Sequence, residues 1–186
     1  MLKYWVWLSE LKGLRNQTRL ALLRRFGDPE SIFYADADEL LLTDGVERSQ
    51  LKLLENHDLA PADRILADCQ RLDIRLLTLS DAAYPGRLKN IYDPPALLYC
   101  KGRLPLLDDL LCVAVVGTRD CTPYGVACAE KLGFGLASGG AAVVSGLAKG
   151  IDAAAIRGAL RAGGVTVGDV TAALARRETL ALPETE

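Results

Sequence analysis

Two stretches of the 186-residue chain carry residue types that can hold an anion: VAVVGTRDCTPYG at 113–125 and VVSGLAKGIDAAAIRGAL at 143–160. Each is a short apolar run that ends in glycine and small polar residues and then opens a helical pattern. In such a strand–loop–helix arrangement, loop amides and a helix N-terminus converge on one place, where negative charge is favoured. Gly117 allows a sharp turn and close approach of a ligand. Thr118 offers a hydroxyl, and Arg119 can grip a phosphate through two parallel N–H bonds, which a lysine cannot do. In the second loop Ser145 and Gly146 repeat the pattern, Lys149 adds a cation, and Gly150 leaves the helix entry open. Asp152 is expected to cap that helix or to pair with Arg119 or Lys149. Singly, the glycines fit plain tight turns and Arg119 a surface ion pair. Two cation-bearing glycine loops on one sheet edge point to phosphate.

The chemistry is that of binding rather than turnover. The fingerprints GxGxxG, GxxxxGK[ST], HExxH and GxSxG are all missing, and the single histidine, His57, lies far from both loops in sequence. Ser145 therefore has no base to activate it. No catalytic residue, metal ligand or cofactor is expected. Five cysteines without a CxxC pair read as reduced, small apolar residues of a cytoplasmic protein. A net charge of −2 argues against coating nucleic acid by bulk charge, though not against a local basic groove. No apolar run approaches the roughly 20 residues of a membrane span, and MLKYWVWLSELKG lacks the features of a secretory signal.

Those loops need a sheet to position them. From residue 112 the pattern alternates: a buried strand at 112–116, a helix from Pro123 to Ser138, a strand at 141–144, a helix from Ile151 to Arg161 and a strand at 165–167. This βαβαβ order implies a Rossmann-like, doubly wound parallel sheet. Upstream, 74–79 and 96–100 read as two further short strands around Pro94-Pro95. The first sixty residues read as short helices joined by glycine turns, with Leu11, Leu14, Leu20, Leu23 and Phe26 at helical spacing up to Gly27. That first helix carries Lys12, Arg15, Arg19, Arg24 and Arg25. They are either a solvated face or a phosphate-contacting one. Tyr124, beside the first loop, either receives a base or packs beneath the helix start.

The motifs VAVVGTRDCTPYG, VVSGLAKGIDAAAIRGAL and YPGRLKNIYDPPALLYCKG, in this chain order, resemble the DNA-processing protein A (DprA, also called Smf) family over about residues 8–168. The resemblance implies a small all-helical domain of the sterile-alpha-motif or helix-hairpin-helix kind at 1–66 and an extended, incomplete Rossmann-like DNA-binding domain at 67–168. A divergent tail follows at 169–186. It further implies a non-catalytic protein that binds single-stranded DNA and assists loading of the recombinase RecA in natural transformation and recombination. Arg119 matches the family's arginine after the glycine of the first loop, and Ser145, Gly146, Lys149 and Gly150 match its second phosphate-binding loop; with Gly117 and Thr118 they make up the expected DNA- and phosphate-binding set. Lys149 stands where the family often has arginine, and Ile156 where it often has histidine. After Gly168 the expected strands, helices and dimer surface do not follow, so the chain reads as truncated, with a possible homodimer in question. A short helix is expected at 170–177, and Leu180 could cover an otherwise open sheet face. Two other readings stand beside the first: a nucleotide-phosphate-binding Rossmann-like hydrolase, and an inactive fragment.

Overall fold

The computed structural model describes residues 1–169, which divide into two compact units, Met1–Leu106 and the residues from Leu107 onward. The first unit is mostly helical: α1 (Leu2–Glu10), α2 (Asn16–Phe26), α3 (Pro29–Phe33), α4 (Ala37–Leu41), α5 (Arg48–Leu54) and α6 (Ala60–Arg71). Then come strand β1 (Ile74–Thr78), the single turn α7 (Gly86–Lys89) and strand β2 (Leu97–Lys101). Helix α1 is apolar on nearly every side, and it is buried accordingly: Tyr4, Trp5, Val6, Trp7 and Leu8 all lie in the core. The single helix expected through Leu11 and Phe26 is instead broken before Asn16. Leu11 and Leu14 reach the same core from non-helical backbone, so their helical spacing was incidental. Helix α3 starts as its residues dictate, with Pro29 in the first turn and the Asp28 carboxylate accepting from the Ser31 amide at 2.9 Å.

Strands β1 and β2 pair antiparallel, Ile74 opposite Lys101 and Thr78 opposite Leu97. The hairpin does not open the second domain, as a boundary after residue 66 would require. That boundary falls inside α6, and Leu76, Leu79, Ala96 and Leu97 close the same apolar core as α1. The reason is burial: a two-stranded ribbon is marginal alone and needs a helix layer against its apolar face.

The second unit runs β3 (Cys112–Ala114), α8 (Pro123–Ser138), β4 (Ala142–Ser145), α9 (Ile151–Arg161) and β5 (Thr166–Gly168). The sheet is parallel in the order β3-β4-β5, with Val113 opposite Val143 and Val143 opposite Thr166. This is the expected Rossmann-like α/β arrangement, with one correction. The strands follow one another in chain order, so among the described residues there is no reversal and the sheet is wound on one face only. Right-handed crossovers then place α8 and α9 together on that face. There they cross so closely that a methyl on Gly133 would strike the Ala155 carbonyl, and one on Gly158 the Glu130 carbonyl. Val115, Ala137, Val143, Ala155, Ile156 and Ala159 make the core between helices and sheet. β3 stops at Ala114, two residues short of expectation, and Val116 is 70% exposed. The helix expected at 170–177 and the cover expected from Leu180 lie outside the described residues.

Candidate nucleic-acid interface

The two glycine loops follow β3 and β4, and one carboxylate ties them together. Asp152, in the first turn of α9 and 5% exposed, accepts the Gly117 amide on Oδ1 at 2.9 Å and the Gly146 amide on Oδ2 at 3.2 Å. It neither caps α9, whose N-cap is Gly150, nor forms an ion pair with Arg119 or Lys149. Two amides expected to face a bound phosphate thus already face an internal anion. Gly150 closes the other side. Its φ is +90°, and a side chain there would collide with the Thr118 carbonyl and stand 2.8 Å from the Arg119 Cα. The Ile151 amide donates to the Thr118 carbonyl at 3.2 Å. The backbone of Arg119 therefore lies directly against the Lys149–Gly150 peptide.

The remaining polar residues divide. Ser145 is buried, and its hydroxyl donates to the Val115 carbonyl at 2.9 Å, so it braces the strand ends rather than facing outward. Thr118 is exposed and turns its hydroxyl onto the Asp120 carbonyl at 3.2 Å. Arg119 lines an open groove of about 610 Å³, together with Asp120, Cys121, Thr122, Gly150 and Arg157. Lys149 is exposed but is not one of the groove residues. Thr122 and Pro123 open α8 at the same place, the threonine hydroxyl accepting the Gly125 amide at 3.2 Å. Tyr124 does not pack beneath the helix: it is 79% exposed, and a side-chain hydrogen bond with Cys128 raises its phenol pKa.

Sequence reasoning missed Arg157. Its Nε donates to Glu130 Oε1 at 3.1 Å, and Arg161 Nη1 donates to Glu130 Oε2 at 3.3 Å. Two guanidiniums on one carboxylate leave one positive charge in excess beside Arg119. The signal was available: Arg157 lies less than two turns into α9, the helix that the second loop opens. The basic face read on α2 is largely structural. Arg19 donates to the carbonyls of Leu8, Ser9 and Leu11 at 2.8, 3.1 and 2.8 Å, satisfying the orphaned C-terminal end of α1, and burial lowers its pKa. Arg15 pairs with Glu47 at 3.4 Å, and Arg25 donates to the Leu42 carbonyl at 3.1 Å. Lys12 and Arg24 stay exposed.

The family described as DNA recombination-mediator protein A matches residues 75–180. The DNA processing protein DprA of Bacillus subtilis is 33% identical over 141 residues, 76% of this chain and 48% of that protein. The DNA processing protein DprA of Streptococcus pneumoniae is 48% identical over 90 residues, 48% of this chain and 31% of that protein. The X-ray structure of DprA from Streptococcus pneumoniae superposes with a TM-score of 0.62 at 29% identity, covering 90% of this chain and 57% of that one. The chain thus spans about half, or less, of the length of these curated relatives. With a match this long, running through both glycine loops, the chain belongs to the DNA recombination-mediator protein A family.

Proposed function

We propose that the second unit binds single-stranded DNA through its backbone phosphates, without catalysing a reaction, and that by family resemblance the bound strand is delivered to RecA. The observation that carries this reading is Arg119 on the wall of an open groove, with Arg157 beside it and both glycine loops locked beneath by Asp152. A preorganised loop does not have to be ordered when the strand arrives, which favours affinity. The Asp152 bonds also change the role of the loops. Phosphates would be held by guanidinium and ammonium groups standing on the loops, chiefly Arg119 and Lys149, rather than by the Gly117 and Gly146 amides. Thr118, with its exposed hydroxyl, and Gly150, which permits the loop contact, belong to the same proposed set, and Ser145 and Gly146 support it from below.

Fluorescence anisotropy with a labelled oligo-dT tests the proposal. Arg119→Ala and Lys149→Ala are each expected to weaken binding by about 1–3 kcal/mol, the range for hydrogen bonds to charged groups. Affinity should fall steeply with salt and change little with sequence. Unchanged affinity in both variants would remove the site, and release of free base from a nucleoside monophosphate would favour the hydrolase reading.

A further inference from the structure

The first unit has its own groove, of about 380 Å³, which the proposed DNA site does not use. Trp5 of α1, Arg24 of α2, and Ser80, Lys89, Ile91 and Tyr92 from the segment between β1 and β2 all line it. Tyr92 is the unusual member. Its side chain is 90% exposed, yet the backbone beneath it is fixed. Gln17 Nε2 donates to the Tyr92 carbonyl at 2.8 Å and to Asp93 Oδ1 at 3.0 Å. Asn16 Nδ2 donates to the same carboxylate oxygen at 2.7 Å and to the Pro94 carbonyl at 2.9 Å. Four hydrogen bonds from the first turn of α2 thus hold a large aromatic ring out into water.

A ring held clear of its own fold leaves its faces open to a partner, and an aromatic side chain can bury about 150–250 Å² when one covers it. Arg24 and Lys89, in the same groove, are exposed and have no ion-pair partner among the described residues. The nearby Asp93 carboxylate is already engaged by Asn16 and Gln17. An aromatic platform flanked by two uncompensated cations matches the two repeating parts of a single strand: a flat base and an anionic phosphate. The volume suits one small ligand unit, about 300 Å³ or more, rather than a run of nucleotides.

We infer that this groove is a second single-stranded nucleic-acid contact, in which Tyr92 stacks on one base while Arg24 and Lys89 hold the adjoining phosphates. The inference rests on the reading of the chain as a single-strand binder but uses none of the residues of the Arg119 groove. The two can therefore fail separately.

The test uses the full chain with labelled oligo-dT carrying 4-thiothymidine. Ultraviolet cross-linking should map to Tyr92. Tyr92→Ala should weaken binding about tenfold, and Tyr92→Phe, which keeps the ring, should stay within twofold of the wild type. The double variant Arg24→Gln, Lys89→Gln should lower the slope of log affinity against log salt by roughly 1–2. If Arg119→Ala weakens binding while Tyr92→Ala leaves it unchanged and no cross-link falls at Tyr92, the second contact is overturned and an acidic peptide becomes the better occupant. If the wild-type chain binds no oligonucleotide at all, both readings fall. Tyr92, Arg24 and Lys89 are all exposed, so the variants should keep the wild-type circular dichroism.

Discussion

A single aspartate decides how the candidate interface is built. Asp152 has the charge of an inhibitor of DNA binding, yet its place is inside, where its two oxygens take the amides of Gly117 and Gly146. Hydrogen bonds to a charged partner contribute about 1.5–3 kcal/mol each, and a buried amide left without an acceptor costs a similar amount. Asp152→Ala should therefore lower the unfolding free energy of the second unit by about 2–4 kcal/mol in chemical denaturation. The two bonds share one carboxylate, so they will not add fully. Arg119→Ala, by contrast, should leave stability within about 0.5 kcal/mol, as surface changes usually do. Equal stability of Asp152→Ala and wild type would show that the carboxylate does not organise the loops.

The elements divide into those that stand by local sequence and those that need partners. Helices α8 and α9 belong together because glycines at 133 and 158 let the backbones touch, and no larger residue fits. The β1–β2 hairpin depends on its connection. Within it Tyr84 is 4% exposed and its hydroxyl donates to the Pro95 carbonyl at 2.8 Å. Burial raises its pKa from 10.0 to about 12. The folded state favours the neutral phenol, so this contribution is complete below pH 10 and is lost as the pH rises from 10 through about 12. Phenolate absorbance should show tyrosines ionising near pH 12 in the folded protein, Tyr4 among them, and Tyr84→Phe should reduce that late component by one phenol. A titration unchanged by the substitution would place Tyr84 in water.

At the scale of the whole molecule, the two units carry unequal cores. The core cluster of the first holds sixteen buried apolar residues, among them both tryptophans of the chain, and that of the second holds six small or aliphatic ones among the described residues. On the sheet face away from α8 and α9, Ala142 is fully buried, whereas its neighbours Ala114, Val144 and Val167 are not. Denaturation should accordingly not be a single transition. Tryptophan fluorescence from Trp5 and Trp7 should report the later unfolding of the first unit, and far-ultraviolet circular dichroism should lose part of its amplitude at lower denaturant. Coincident curves would mean that the chain unfolds as one cooperative block.

Much of this was legible in the order of residues. The ends of α8 and α9 match the sequence reading residue for residue, because Thr122-Pro123, Gly139-Gly140 and Gly163-Gly164 are start and stop signals that act within a turn or two. The three parallel strands and the place of both loops followed from the same alternation. What the residues could not disclose were the long-range choices. Asp152 was readable as a cap, but only the approach of two loops 35 and 6 residues away gave it two amides. Arg19 was readable as a surface cation, but only the fold brought it to the C-terminal end of α1, where three carbonyls surround it. The order of residues places the hairpin with the Rossmann-like domain, and burial of its apolar face assigned it to the first unit. Local order sets which backbone shapes are available. Which polar groups meet is settled by burial, since only an enclosed donor must find a particular acceptor.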